Sequence, residues 1–209
     1  MTGLFITFEG IDGSGKSSQA RMAYDALCTA GHTCHLTREP GGSTGAEEIR
    51  ALVLNGATDR WSAMTELLLF TAARRDHIER VIRPAIARGE IVVCDRFVDS
   101  TRAYQGLNDT DMRALVDDLH RLTIGIEADL TLLIDIDPAE GLARAKSRGT
   151  GEERFEDKGL SFQTALRSAF ADIAQKAPAR VKQINGAQPM QDVHQSVMAQ
   201  IQAAMDRMT

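Results

Sequence analysis

Short apolar runs and longer amphipathic stretches alternate along this chain. The runs at residues 4–9, 33–37, 91–95, 130–135 and 181–184 have the length of strands. Those spelled LFITF, IVVC and LTLLI are almost continuously apolar, where a strand buried on one side alternates. Such runs predict a parallel sheet covered by helices on both faces. The stretches at 16–30, 46–54, 62–88, 111–122, 138–147, 160–177 and 190–208 predict helices, and Gly31, Gly89 and Gly186 fall where an element must stop and turn. The alternation gives an α/β fold, a doubly wound parallel five-stranded sheet, in a single domain over 1–209. One stretch breaks the pattern. Residues 148–159, RGTGEERFEDKG, are polar and glycine-rich between two helices and predict a mobile lid.

Within the 62–88 stretch, a helical period puts Leu67, Thr71, Ile78, Val81, Ile82 and Ala85 on one stripe. Arg74 falls inside that stripe and Phe70 on its edge. An inward guanidinium needs a partner, because an unpaired buried charge is costly. A structural ion pair and a ligand contact both satisfy it.

Composition changes this picture little. The 209 residues are 43% hydrophobic and 25% charged, ordinary for a globular domain of one core. A net charge of −5 argues against general affinity for nucleic acid or membrane surfaces, though a local basic pocket is compatible with it. There is no apolar run long enough to predict a transmembrane helix, and the first residues, MTGLFITFEG, read as a strand rather than a signal peptide. A cytoplasmic protein is expected. Cys28, Cys34 and Cys94 lack metal-ligand spacing and are expected to be reduced, buried thiols.

Chemistry enters after the first strand. Gly10-Ile11-Asp12-Gly13-Ser14-Gly15-Lys16-Ser17 fits the pattern G-x-x-x-x-G-K-[ST], with Ser18 following. Glycines let backbone N–H groups close around an anion, and the helix that starts there turns its positive end to the same place. Lys16 is expected to reach the β- and γ-phosphates of a nucleotide, and Ser17 to ligate Mg²⁺. Asp12 is odd in such a nest, and is tolerable only if it points away from the phosphates. No N-K-x-D or T-K-x-D guanine-reading segment is present, and no L-S-G-G-Q signature. The strand that would carry a switch aspartate ends in Cys94-Asp95-Arg96-Phe97. A small-molecule kinase is favoured over a GTPase switch or a motor ATPase, since an arginine-bearing lid can seal a phosphoryl donor from water.

From Asp95 the sequence runs Arg96-Phe97-Val98-Asp99-Ser100-Thr101-Arg102-Ala103-Tyr104-Gln105-Gly106, which closely resembles the thymidylate kinase hallmark. FEGIDGSGKS, Thr37-Arg38-Glu39-Pro40-Gly41-Gly42, Leu68-Leu69-Phe70-Thr71-Ala72-Ala73-Arg74 and Asp129-Leu130-Thr131-Leu132-Leu133-Ile134-Asp135 extend the resemblance over nearly the whole chain. It implies the P-loop nucleoside-monophosphate kinase fold with a short lid, as a homodimer. The implied reaction is ATP + dTMP giving ADP + dTDP with Mg²⁺. Phe70 would stack on thymine and Arg74 would bond its O4. Asp95 would hold Mg²⁺ through water, and Arg96 and Arg50 would grip the acceptor phosphate. Ser100 and Thr101 would meet the base, with Gln105 nearby, and Tyr104 would leave no room for a 2′-hydroxyl. Asp12 would reach towards the acceptor's 3′-hydroxyl or metal-bound water.

The chain departs from the family pattern at a few positions. Ser14 stands where some relatives carry a catalytic arginine, which leaves Arg148 and Arg154 in the lid as the candidate catalytic cations. Glu153-Arg154 replaces an Asp-Arg pair, Ala128 a proline, and Phe170 a tyrosine. A kinase of another nucleotide or small metabolite, or a non-catalytic switch, is the alternative.

Overall fold

The computed structural model describes residues 3–57, 59–107, 109–147 and 159–208. Strands β1 (Phe5–Glu9), β2 (Cys34–Arg38), β3 (Ile91–Asp95), β4 (Leu130–Asp135) and β5 (Val181–Asn185) form one parallel sheet in the order β2-β3-β1-β4-β5. Around it lie α1 (Lys16–Thr29), α2 (Thr44–Leu54), α3 (Ala63–His77), α4 (Arg83–Ala87), α5 (Val98–Tyr104), α6 (Thr110–Thr123), α7 (Pro138–Lys146), α8 (Gly159–Lys176) and α9 (Met190–Asp206). A lid over 148–159, with Arg148 and Arg154, falls almost wholly outside the described residues.

The apolar runs are explained by what covers them. Ile6, Phe8, Val93 and Leu132 pack on Ala20, Ala23 and Leu27 of α1 and on Val193, Val197 and Ile201 of α9. Their neighbours Phe5, Val92 and Cys94 face the other way, onto Leu67, Ile78, Ile82, Phe97, Val98 and Val116. Leu133 and Val181 meet Leu166, Phe170 and Ile173 of α8. Both faces of the central strands are dry, so alternation is not needed. The chain leaves β1 towards β2 and leaves β3 towards β4, in opposite directions. Ligands in open α/β sheets bind at such a switch point, outside the carboxyl ends of the strands.

Three features differ from expectation. The 62–88 stretch is not one regular helix: a π-helical turn, Ile78–Ile82, joins α3 to α4. A wider turn shifts the phase of the residues within it, and Val81 there is only half-buried; His77, the last residue of α3 and outside the expected stripe, is fully buried against Glu39 and Thr37. Helix α5 has no counterpart among the expected helices, because Asp99, Ser100 and Thr101 favour caps and turns over helix interiors. It is tied down by charge: Arg180 grips Asp99 at 2.6 Å and 3.1 Å, and Arg102 bonds Asp99 at 2.9 Å and Asp117 at 2.7 Å. All three thiols are free, as expected, but only Cys94 is buried; Cys28 is exposed and Cys34 half-buried.

Candidate active site

The loop between β1 and α1 holds Gly10, Gly13 and Gly15 at φ of 141°, 76° and 92°. Gly13 is pressed against α7, where a Cβ would land on the carbonyl oxygen of Gly141. No side chain caps the start of α1, so its first amides are left to an anion. Lys16 is buried inside the loop, donating to the Ile11 carbonyl at 3.3 Å. Burial, then the Arg96 charge, pulls its ammonium down to about 8, while Asp12, Asp95 and Glu9 oppose the fall. It therefore keeps its charge at neutral pH.

Asp12 lies between two cations at the cleft. Its Oδ1 meets Arg96 Nη2 at 2.6 Å and Lys16 Nζ at 3.8 Å, and Tyr104 Oη donates to its Oδ2 at 3.0 Å. Burial pushes this carboxyl up, but Arg96 and Lys16 outweigh it and hold Asp12 below the usual range. Arg96 has left-handed backbone, φ 70°. It also donates from Nη1 to the Gly10 carbonyl at 3.2 Å and to Ser100 Oγ at 2.9 Å. Tyr104 is braced by T-shaped contacts with Phe162 and Phe170 of α8.

At the other end of the cleft, Arg74 has the buried ion-pair partner an inward arginine needs, and it also lines the cleft. Its Nε donates to Glu39 Oε2 at 2.7 Å and its Nη2 to Thr101 Oγ1 at 2.8 Å, and it lies over the Phe97 ring. Glu39 is in turn bonded by His77 Nδ1 at 3.1 Å, and His77 Nε2 lies 2.7 Å from Thr37 Oγ1. Burial raises Glu39, yet Arg74 and His77 together keep it below its ordinary value. These two ends open into one cleft of about 270 Å³, lined by Lys16, Asp95 and Arg96 at the first and by Phe70, Arg74 and Thr101 at the second.

The family model described as thymidylate kinase matches residues 8–197. The chain belongs to the thymidylate kinase family. A thymidylate kinase from Ruegeria pomeroyi is 62% identical over 192 residues, covering 92% of this chain and 91% of the relative. One from Dinoroseobacter shibae is 56% identical over 202 residues, covering 97% and 98%. A crystal structure of thymidylate kinase from Ehrlichia chaffeensis superimposes with TM-score 0.78 at 34% identity, covering 96% of this chain and 99% of that one. Members of the thymidylate kinase family are ATP-dependent nucleoside-monophosphate kinases, which makes this chain a phosphotransferase.

The cleft gathers most of the positions for which the family resemblance implies a role. Asp12, Lys16, Ser17, Arg50, Phe70, Arg74, Asp95, Arg96, Ser100, Thr101, Tyr104 and Gln105 all line it. Their surroundings refine the expectation. Ser100 turns its hydroxyl to Glu9 at 2.6 Å, Gln105 donates to Glu66 Oε1 at 2.9 Å, and Arg50 donates to the Pro40 carbonyl at 2.6 Å. Ile11 is a core residue, and Ser14 is buried in the loop with no partner for its hydroxyl among the described residues. Ser18 is exposed on α1 and does not line the cleft. Polar residues in and behind the site that escape a reading of the sequence include Glu9, Glu39, His77 and Gln163. Gln163 is fully buried and donates to Asp12 at 3.5 Å. A carboxylate closing a buried strand could have flagged Glu9. The other three act through partners 35 or more positions away, which no local pattern reports.

Proposed function

We propose that this chain transfers the γ-phosphate of ATP to dTMP, giving ADP and dTDP, as a cytoplasmic homodimer that works with Mg²⁺. The carrying observation is the single cleft: the phosphate-binding lysine and the Phe70–Arg74–Thr101 pocket open into the same space. A monophosphate whose base sits by Phe70 and Arg74 would present its phosphate to Arg96 and Lys16. No covalent enzyme intermediate is needed. The chain's own work is positioning and charge neutralisation of an in-line displacement. Lys16 offsets charge on the transferred group, and Arg96 holds the acceptor phosphate. Turnover of a panel of nucleoside monophosphates with ATP tests the reading, and a preference for any monophosphate over dTMP would overturn it.

Ser17 and Asp95 fit a hard cation, which takes oxygen ligands. Asp95 Oδ1 is a buried acceptor with no hydrogen-bond partner among the described residues, and metal-bound water is a donor suited to it. Mg²⁺, when bound, neutralises phosphate oxygens. Because Ser14 is uncharged, Arg148 and Arg154 are proposed to supply the further cation from the lid. Exposed Met64 and Leu68 on α3 and Leu122 on α6 support a contact between two copies. No helix among the described residues is long and apolar enough to cross a membrane.

Two side chains give the reading its specificity. Arg74→Ala removes a charge-assisted bond to the base worth about 1.5–3 kcal/mol, so dTMP affinity should fall tenfold or more by calorimetry while ATP affinity holds. It also strands Glu39 as a buried charge, so Tm should fall as well. Adding Glu39→Gln should restore Tm but not dTMP affinity. Equal losses for ATP and dTMP would reduce Arg74 to a structural ion pair. Tyr104→Ala should narrow the preference for deoxy over ribo substrates in competition assays. An unchanged ratio, with both slowed alike, would make Tyr104 a packing residue.

A further inference from the structure

Glu9 is the residue before the phosphate-binding loop, and its carboxylate is spent on the opposite wall of the cleft. It is 1% exposed. Its Oε1 accepts from the backbone N–H of Phe97 at 2.8 Å and of Ser100 at 3.1 Å, and its Oε2 accepts from Ser100 Oγ at 2.6 Å. Those amides open α5, whose N-cap residue, Phe97, supplies no side-chain cap of its own. A carboxylate 88 positions away does the capping. Burying a charge this deeply is costly, and an ordinary serine or aspartate at the cap would close the helix without it.

What the distant carboxylate adds is a link. Arg96 Nη1 donates to Ser100 Oγ, which in turn donates to Glu9 Oε2. Arg96 also donates to the carbonyl of Gly10, the residue next to Glu9. Arg96 holds a backbone conformation that a side-chain-bearing residue adopts only when its surroundings enforce it. Glu9 grips the very next N–H. The strained turn and the guanidinium it carries are thus both referenced to the base of the phosphate-binding loop.

We propose that Glu9 is a positioning residue for phosphoryl transfer, aiming Arg96 across the phosphate-binding loop through the Phe97 amide and the Ser100 hydroxyl. It touches neither substrate and acts only through Arg96. The proposal rests on the reading that Arg96 meets the acceptor phosphate.

Glu9→Gln is the discriminating change. One amide oxygen can still cap α5, but its NH₂ then faces Ser100 and reverses the link, so the fold survives while the aim is lost. Misplacement on the scale of an ångström costs about 10²-fold, so kcat should fall roughly 10- to 100-fold, with KM for ATP and Tm close to wild type. In an Arg96→Ala background the same change should lower radiolabel transfer by no more than about twofold, because residues acting as a unit are not additive. An equal loss in both backgrounds, or none in either, overturns the proposal. If Glu9→Gln does not fold, Ser100→Ala breaks the link while leaving both amide bonds. It must show the same loss and the same dependence on Arg96, and wild-type kcat in that variant overturns the proposal too. Wild type failing to phosphorylate dTMP would sink the functional reading and this inference with it, whereas active wild type with flat ratios sinks the inference alone.

Discussion

Replacing Lys16 by alanine is expected to lower kcat by roughly 10²- to 10³-fold or more while the fold stays intact or becomes slightly firmer. The loss follows from where the ammonium sits. A preorganised cation in a dry loop stabilises charge that develops in transfer, and removing one such donor typically costs that much. The gain follows from the same burial. Folding takes the Lys16 ammonium from water and pulls its pKa to about 8, below its ordinary 10.5. Between those two values the unfolded chain binds more protons than the folded one, so the wild-type lysine contributes stability that rises with pH across this window. Below pH 8 the buried charge is a net cost, which alanine lacks. Melts at pH 7 and pH 9, set beside steady-state kinetics, check both halves. Near-wild-type turnover would refute the phosphate-binding role, and a large drop in Tm at pH 7 would refute the stability argument.

The second large effect concerns two glycines in contact. Gly13→Ala asks for a left-handed side-chain residue at φ 76° and drives its Cβ onto the Gly141 carbonyl. The cost cannot be relieved by a rotamer, because the obstacle is backbone. The loop must lift, and kcat/KM for ATP should fall by about 10²-fold or more. Gly141→Ala approaches the same contact from the other side. Inside α7, alanine would ordinarily stabilise a helix by about 1 kcal/mol. Here its Cβ would stand 2.8 Å from the Asp12 carbonyl and 3.1 Å from Ile11 Cδ1. Weaker ATP binding, not a firmer helix, is therefore expected. A Gly141→Ala protein with raised Tm and unchanged ATP affinity would show that the loop does not lean on α7.

The sheet is legible in the sequence because its signal is dense: a run such as LFITF admits few readings once both faces are buried. The phosphate-binding loop is legible because its spacing is itself the mechanism. Helix α5 is not, since its local residues favour turns and its cap comes from Glu9 across the sheet. Regular periodicity also misses the π turn at Ile78–Ile82, which changes phase without changing composition. Arg74 reads correctly as inward and in need of a partner, but Glu39 and His77 cannot be chosen from sequence, because a buried ion pair is defined by tertiary contact. The site's primary side chains thus carry local patterns, and the residues that orient them do not.

The strand order also bears on synthesis. β1 and β2, consecutive in the chain, are not neighbours: β2 pairs only with β3, and β1 pairs with β3 and β4. A ribosome adding about 5–20 residues per second must therefore expose LFITF and the phosphate-binding loop well before any native partner strand emerges. Residues 10–90 must all follow β1 before the first ladder hydrogen bond can form. Of β1 to β5, β1 waits longest for a neighbour to pair with, so its apolar run is the segment a chaperone has the longest time to meet.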